Sequence, residues 1–180
     1  MGLATDLGYA FTRPNPLQRL VQALGASRGG AWLFSRTLRH LDDLVKRVSG
    51  GRSSAPGLLA GLPVLEVTTT GRRSGQRRTS YLIAVPFKDT LALLGTNFGQ
   101  TSTPAWALNL EADGHATVSY RESTRAVLAR PATPAEADEV MRTADTVYVG
   151  YRKYRERVTG RRVRIFVLEP AAAAAGASAD

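Results

Sequence analysis

The sequence predicts an α+β chain that is mainly β: a small antiparallel barrel with N-terminal helices and a few short helices between its strands. Three observations predict it. Past residue 61 lie six short runs rich in β-branched and apolar residues, mostly adjacent and separated by turn signals. Helical periodicity is concentrated before residue 50. No strand–glycine-rich turn–helix unit is present, which excludes a Rossmann-type doubly wound sheet.

The length and composition fit one core. The chain has 180 residues, 43% of them hydrophobic, enough to offset the chain entropy of a single domain. Cysteine is absent, and the two histidines are His40 and His115. Disulfides, thiolate nucleophiles, iron–sulfur clusters and sulfur-ligated zinc are therefore excluded, and a histidine-rich metal site has too few ligands. Chemistry in such a chain is expected to come from a borrowed cofactor.

The elements follow in order. Leu17, Leu20, Val21 and Leu24 keep a period near 3.6 until Gly29-Gly30, and Trp32 to Val48 repeats it until Gly50-Gly51. The polar face of this second helix carries Arg36, Arg39, Lys46 and Arg47. Packing on a sheet is the expectation, with peripheral membrane contact as the alternative. Residues 53–61 form a Ser/Pro/Gly linker. Strands are predicted over Pro63–Thr70, Ser80–Lys88, Thr90–Thr96, Ala116–Arg121, Arg125–Arg130 and Val163–Leu168, with Lys88-Asp89 as a tight turn. A short helix spans Pro104–Leu110, and Thr133-Pro134-Ala135-Glu136 is a capping box opening a helix to about Val147. The expected organisation is a helical segment over 1–52, the linker, a barrel domain over 62–170 and a low-complexity tail over 171–180. Neither an export signal nor an apolar run of bilayer length is present. The default expectation is a cytoplasmic protein, and exposed sheet faces and edges are compatible with a homodimer.

Charge is the strongest compositional signal. Net charge is +9, and 21 of the 24 basic residues are arginine. Arg72, Arg73, Arg77 and Arg78 form one cluster, and residues 152–164 hold a second. Arginine forks suit phosphate and carboxylate oxygens. The stretch Gly71-Arg72-Arg73-Ser74-Gly75-Gln76-Arg77-Arg78-Thr79-Ser80 is neither a P-loop nor a nucleophile elbow. It reads as a hairpin tip that aims N–H groups and cations at one anion. In Pro104-Ala105-Trp106-Ala107-Leu108-Asn109-Leu110, Trp106, Asn109 and Leu110 share one helix face. Trp106 and Asn109 there either flank a flat heteroaromatic ring, or pack in the core with the Asn capping a neighbouring turn. Tyr148, Tyr151 and Tyr154, spaced by three, are either packing or donors to an acceptor oxygen.

Taken in order, Val67-Thr68-Thr69-Thr70-Gly71-Arg72-Arg73-Ser74-Gly75-Gln76-Arg77-Arg78, Pro104 to Leu110, Tyr151-Arg152-Lys153-Tyr154 and Phe166-Val167-Leu168-Glu169-Pro170 resemble the deazaflavin-dependent nitroreductase family. The resemblance covers roughly residues 62–170. It implies a split β-barrel that uses coenzyme F420, a deazaflavin whose tail carries a phosphate and several glutamates, rather than FMN. By position, Arg72, Arg73, Ser74, Arg78, Thr79, Ser80, Tyr81, Leu82 and Ile83 would contact the tail and ribityl portion. Thr96, Asn97 and Phe98 would lie along the deazaflavin, with Ala105, Trp106 and Asn109 beside its ring. Tyr151 and Tyr154 would face the substrate as donors, and no metal is implied. The implied reaction is hydride transfer to a small electron-poor acceptor such as a quinone, an enone or a nitroaromatic. Tyr81-Leu82 and Arg161-Arg162-Val163-Arg164 depart from the family's usual Pro-Leu and Arg-Glu-Ile-Pro, so the substrate does not transfer. Two other readings remain: a deazaflavin- or flavin-binding protein without turnover, and a basic nucleic-acid-binding module. Against the latter, the aromatics are not interleaved with a basic strand surface.

Overall fold

The computed structural model describes residues 2–11, 27 and 62–171. The predicted helices within 15–49, the linker and the tail beyond 171 lie outside the described residues. Strands β1 (Leu65–Thr70), β2 (Arg77–Leu82), β3 (Val85–Phe87), β4 (Thr90–Leu94), β5 (His115–Tyr120), β6 (Ser123–Pro131) and β7 (Ile165–Pro170) form one sheet. The helices are α1 (Leu3–Leu7), α2 (Ala105–Ala112), α3 (Pro134–Val147) and α4 (Val149–Arg157), with a 3-10 turn at Asn97–Gly99. Strand order is β2-β1-β5-β6-β7-β4-β3, and every pair is antiparallel.

That order dictates the barrel. β2 and β3 stand at opposite ends of the sheet, yet only Ile83 and Ala84 join them. A link so short spans at most about 11 Å. The sheet therefore curls until its ends meet, leaving a seam at Ile83-Ala84: a split antiparallel barrel. The single strand predicted over Ser80–Lys88 is thus two strands. The chain changes edges there, pairing with β1 before the break and β4 after it.

Period-2 alternation separates two cores. Along β4, Leu91 and Leu93 face the barrel interior, whereas Ala92 and Leu94 face α3 and α4; along β7, Phe166 and Leu168 alternate in the same way with Ile165 and Val167. Burial on both faces explains why these strands read as continuous apolar runs. The interior core also takes Leu65, Val67, Val118, Val127, Trp106 and Leu110, and it is plugged by Leu3, Leu7 and Tyr9. Each fully buried large side chain contributes about 1.5–3 kcal/mol. The outer core packs Val140 and Ala144 of α3 and the three tyrosines against β3, β4 and β7. α3 opens with the predicted capping box: the Thr133 hydroxyl accepts from Glu136 N–H, and the Glu136 carboxylate accepts from Thr133 N–H.

Three differences at element ends matter for the site. β2 begins at Arg77, so Arg77 and Arg78 belong to a strand rather than to the turn before it. α2 begins at Ala105 with Pro104 as its N-cap. The tyrosine motif is helical, on α4.

Candidate functional site

The arginine-rich segment closes as a tight turn between β1 and β2. Gly71 N–H donates to the Gln76 carbonyl, while Ser74 and Gly75 N–H both donate to the Gly71 carbonyl. Gly75 sits at φ +66°, in the left-handed region that glycine adopts at no steric cost. Arg72, Arg73 and Ser74 are exposed on this turn. The turn is tied to α2 through one side chain. Asn109 Oδ1 accepts from Arg72 N–H at 3.1 Å, and Asn109 Nδ2 donates to Thr69 Oγ1 at 3.0 Å. Asn109 is therefore where the turn-capping reading puts it, and Trp106 is buried edge-on against Phe166. Ala105, one residue earlier, is exposed.

β2 is a sheet edge, and its register sorts the predicted contacts onto two faces. Direct antiparallel partners share a face. Arg78, Ser80 and Leu82 pair with the inward-facing Thr69, Val67 and Leu65. Thr79 and Tyr81 point the other way with Arg77. There the protein engages them: Thr79 bonds Thr68, Tyr81 donates to Glu66, and Arg77 donates to Thr117. On the inward face Arg78 reaches Gln76 at 2.9 Å. The strand runs from exposed arginine to half-buried Leu82 and Ile83, about 20 Å from Arg77 to Ile83 at the usual rise.

At its far end β2 meets the tyrosines. The Tyr151 hydroxyl donates to the Ile83 carbonyl. The hydroxyls of Tyr148 and Tyr154 pair at 3.2 Å, and the three rings meet edge-on. Burial pushes the phenols of Tyr148, Tyr151 and Tyr154 above their ordinary value, so all three stay protonated donors. Gly150 makes this cluster possible, because a Cβ there would sit 2.1 Å from Cε1 of Tyr148.

The segment after β4 covers Tyr154. Thr96 is buried, and Phe98 lies edge-on to Tyr154 at 5.9 Å. Asn97, Phe98 and Gly99 all have positive φ, at 48°, 55° and 80°. For an L-residue such as Phe98 this costs about 1–2 kcal/mol. Two side chains hold the segment. Asn97 Nδ2 donates to the Ser102 carbonyl at 3.0 Å, and the Arg161 guanidinium donates to the carbonyls of Gly95, Thr96 and Gln100 at 2.9–3.1 Å.

The two basic clusters therefore differ. In the second, Arg155 pairs with Asp145, Arg164 with Glu111, Arg161 clamps carbonyls, and Arg157 lies over the Tyr154 ring. In the first, none of Arg72, Arg73, Arg77 and Arg78 takes part in an ion pair among the described residues. Thr69, Tyr148 and Arg161 are the residues that the sequence reading left out of the site. Only Tyr148 carried a signal, its spacing of three from Tyr151. Among the described residues no group of histidine and carboxylate side chains could hold a metal, and no helix is long and apolar enough to cross a membrane.

Comparison with known proteins identifies the family. Residues 37–170 match the sequence model of the F420H2-dependent quinone reductases. A solved structure described as an F420-H2 dependent reductase (FDR-A) is 26% identical, with 59% of this chain and 94% of that chain covered and a TM-score of 0.54. Another, described as a domain-swapped dimer, is 22% identical over 71% of this chain and 95% of its own, with a TM-score of 0.57, and shares the fold. The chain belongs to the F420H2-dependent quinone reductase family and is an F420-dependent oxidoreductase.

Proposed function

We propose that this protein reduces a quinone with hydride from F420H2, with an enone or a nitroaromatic as alternative electron-poor acceptors. One observation carries the assignment of the site. An edge strand has exposed arginines without carboxylate partners among the described residues at one end and a buried cluster of protonated phenols at the other. The donor set suits a cofactor with a polyanionic tail, since exposed guanidiniums without carboxylate partners among the described residues are what phosphate and glutamate oxygens require.

In this reading Arg72, Arg73, Ser74 and Arg78 hold the tail, and Ser80, Leu82 and Ile83 track its middle. Thr96, Asn97, Phe98 and Ala105 flank the ring, backed by Trp106. Asn109 keeps the arginine turn in place from α2. Bound in its reduced form, the cofactor supplies hydride. The Tyr148–Tyr154 pair, kept protonated by burial, offers a hydrogen bond to the acceptor oxygen on which negative charge develops. Tyr151 holds Ile83, where the cofactor track meets that pair.

The test is a fluorescence titration with oxidised F420 beside FMN at two salt concentrations, followed by turnover of F420H2 with menadione. Selective F420 binding and menadione reduction are expected. Tighter FMN binding would overturn the proposed contacts, and binding without reduction of menadione would overturn the quinone assignment.

A further inference from the structure

The seam at Ile83-Ala84 is clamped from both cores. Ala84 is fully buried, and because the chain changes edges there its backbone needs partners outside the ladder. Tyr9 provides them. Its hydroxyl lies 2.8 Å from the Pro63 carbonyl and 3.1 Å from the Ala84 carbonyl, and it accepts from Ala84 N–H at 2.9 Å. Tyr9 reaches the seam from the interior core, directly after α1. Tyr151 reaches the adjacent Ile83 carbonyl from the outer core. Two phenols, far apart in sequence, thus hold consecutive residues of one crossover. Tyr9 lies outside the residues 37–170 that match the family.

We propose that Tyr9 is a positioning residue for the acceptor end of the site: it fixes the crossover against which Tyr151 is set, and so couples the N-terminal segment to quinone reduction. The inference rests on the proposed location of the acceptor beside Tyr148 and Tyr154. Among the described residues no contact joins Tyr9 to Tyr148 or Tyr154; its effect passes through Ala84, Ile83 and the neighbouring phenol of Tyr151.

Tyr9→Phe keeps the ring and its edge-on contacts with Phe11 and Tyr120, and removes only the hydroxyl. The experiment is a double-mutant cycle of Tyr9→Phe and Tyr151→Phe, reading kcat/KM for menadione and the F420 Kd. Each single change is expected to lower kcat/KM by about tenfold, with the F420 Kd within about twofold, and the double variant to be no worse than the poorer single. A purely structural plug predicts instead that the two losses multiply. Multiplying losses, or a Tyr9→Phe protein with unchanged kinetics, would overturn the positioning role. Tyr154→Phe separates this from the parent reading: unchanged menadione kinetics there would overturn the acceptor site itself. Hydrogen exchange of the unmutated protein gives a second reading. Ala84 N–H should be protected at least as strongly as the α1 amides, because it opens only when Tyr9 withdraws; faster exchange at Ala84 overturns the clamp.

Discussion

Asn109 is a short side chain that uses both ends of its amide inside the protein, joining α2 to the last residues of β1 and to the turn that follows. Truncation would leave the Arg72 N–H without its acceptor and the buried Thr69 hydroxyl with only its long contact to the Arg78 carbonyl. Asn109→Ala is therefore expected to destabilise the fold by about 1–3 kcal/mol and to weaken F420 binding, because the turn carrying Arg72 and Arg73 loses its tether. Denaturant unfolding beside an F420 titration checks both. If stability falls while F420 affinity holds, the amide is structural only. Gly150 acts through space rather than through bonding. A methyl group 2.1 Å from a ring carbon of Tyr148 cannot be accommodated, so Gly150→Ala must expel that ring from the cluster. Menadione kcat/KM is expected to fall as far in Gly150→Ala as in Tyr148→Phe, with F420 affinity little changed. Full activity in Gly150→Ala would mean that the Tyr148–Tyr154 contact is dispensable.

At the scale of elements, α3 is started by a carboxylate that serves two masters. Glu136 accepts from Arg130 and from Thr133 N–H, and these contacts, the guanidinium first, hold its carboxyl down to about 2 from an ordinary 4.5. The lowered value means that this contribution is complete above pH 4.5 and is lost as pH falls toward 2. Thr133→Ala is expected to cost about 1 kcal/mol at neutral pH, and Glu136→Gln to flatten the acid limb of a stability–pH profile; an unchanged acid limb would count against the linkage. The segment after β4 is set differently, by the fork of Arg161 on three carbonyls. An ammonium has the same charge but not the fork. Arg161→Lys should therefore lose F420 affinity almost as fully as Arg161→Gln, whereas equal affinity in the lysine variant would show that only charge matters there. The sequence could not reveal this role. Arg161 stands among Arg152, Lys153, Arg155, Arg157, Arg162 and Arg164, and the carbonyls it clamps lie more than sixty positions away. The paired strands were legible because their apolar and β-branched residues keep period 2. The seam was not: in Tyr81-Leu82-Ile83-Ala84-Val85-Pro86-Phe87 the one breaker, Pro86, lies past the break and inside β3, and the backbone at Ile83-Ala84 is satisfied by phenols from the first and last thirds of the chain. α1 escaped for another reason, since five residues form a helix only where packing of Leu3 and Leu7 holds them.

Over the whole molecule, folding divides the positive charge into two kinds. Most of the C-terminal cluster is consumed by the protein's own carboxylates, carbonyls and rings, so its length in sequence overstates the field it presents. The turn between β1 and β2 keeps its cations exposed at one end of an edge strand, some 20 Å along that strand from the phenols. On the proposed reading, affinity for the tail and reactivity toward the acceptor belong to opposite ends of one element. The two should separate in experiment. Arg72→Ala with Arg73→Ala is expected to weaken F420 binding by about tenfold or more at low salt, since exposed charge contacts are screened over about 10 Å at 0.1 M. The loss should shrink as salt rises, because the wild type alone has this attraction to lose. KM for menadione at saturating F420H2 should stay within about twofold, because those guanidiniums lie a strand's length from Tyr154. A matching rise in menadione KM would instead place the acceptor beside the arginine turn and reverse the direction in which the cofactor lies along β2. Nucleic-acid binding by this surface would give a different signature, an affinity that collapses steeply with salt in the wild type and competes with F420. Retention of F420 binding in salt that abolishes any association with DNA would separate the ring contacts proposed at Phe98 and Trp106 from charge alone, since stacking against a half-buried phenylalanine is not screened.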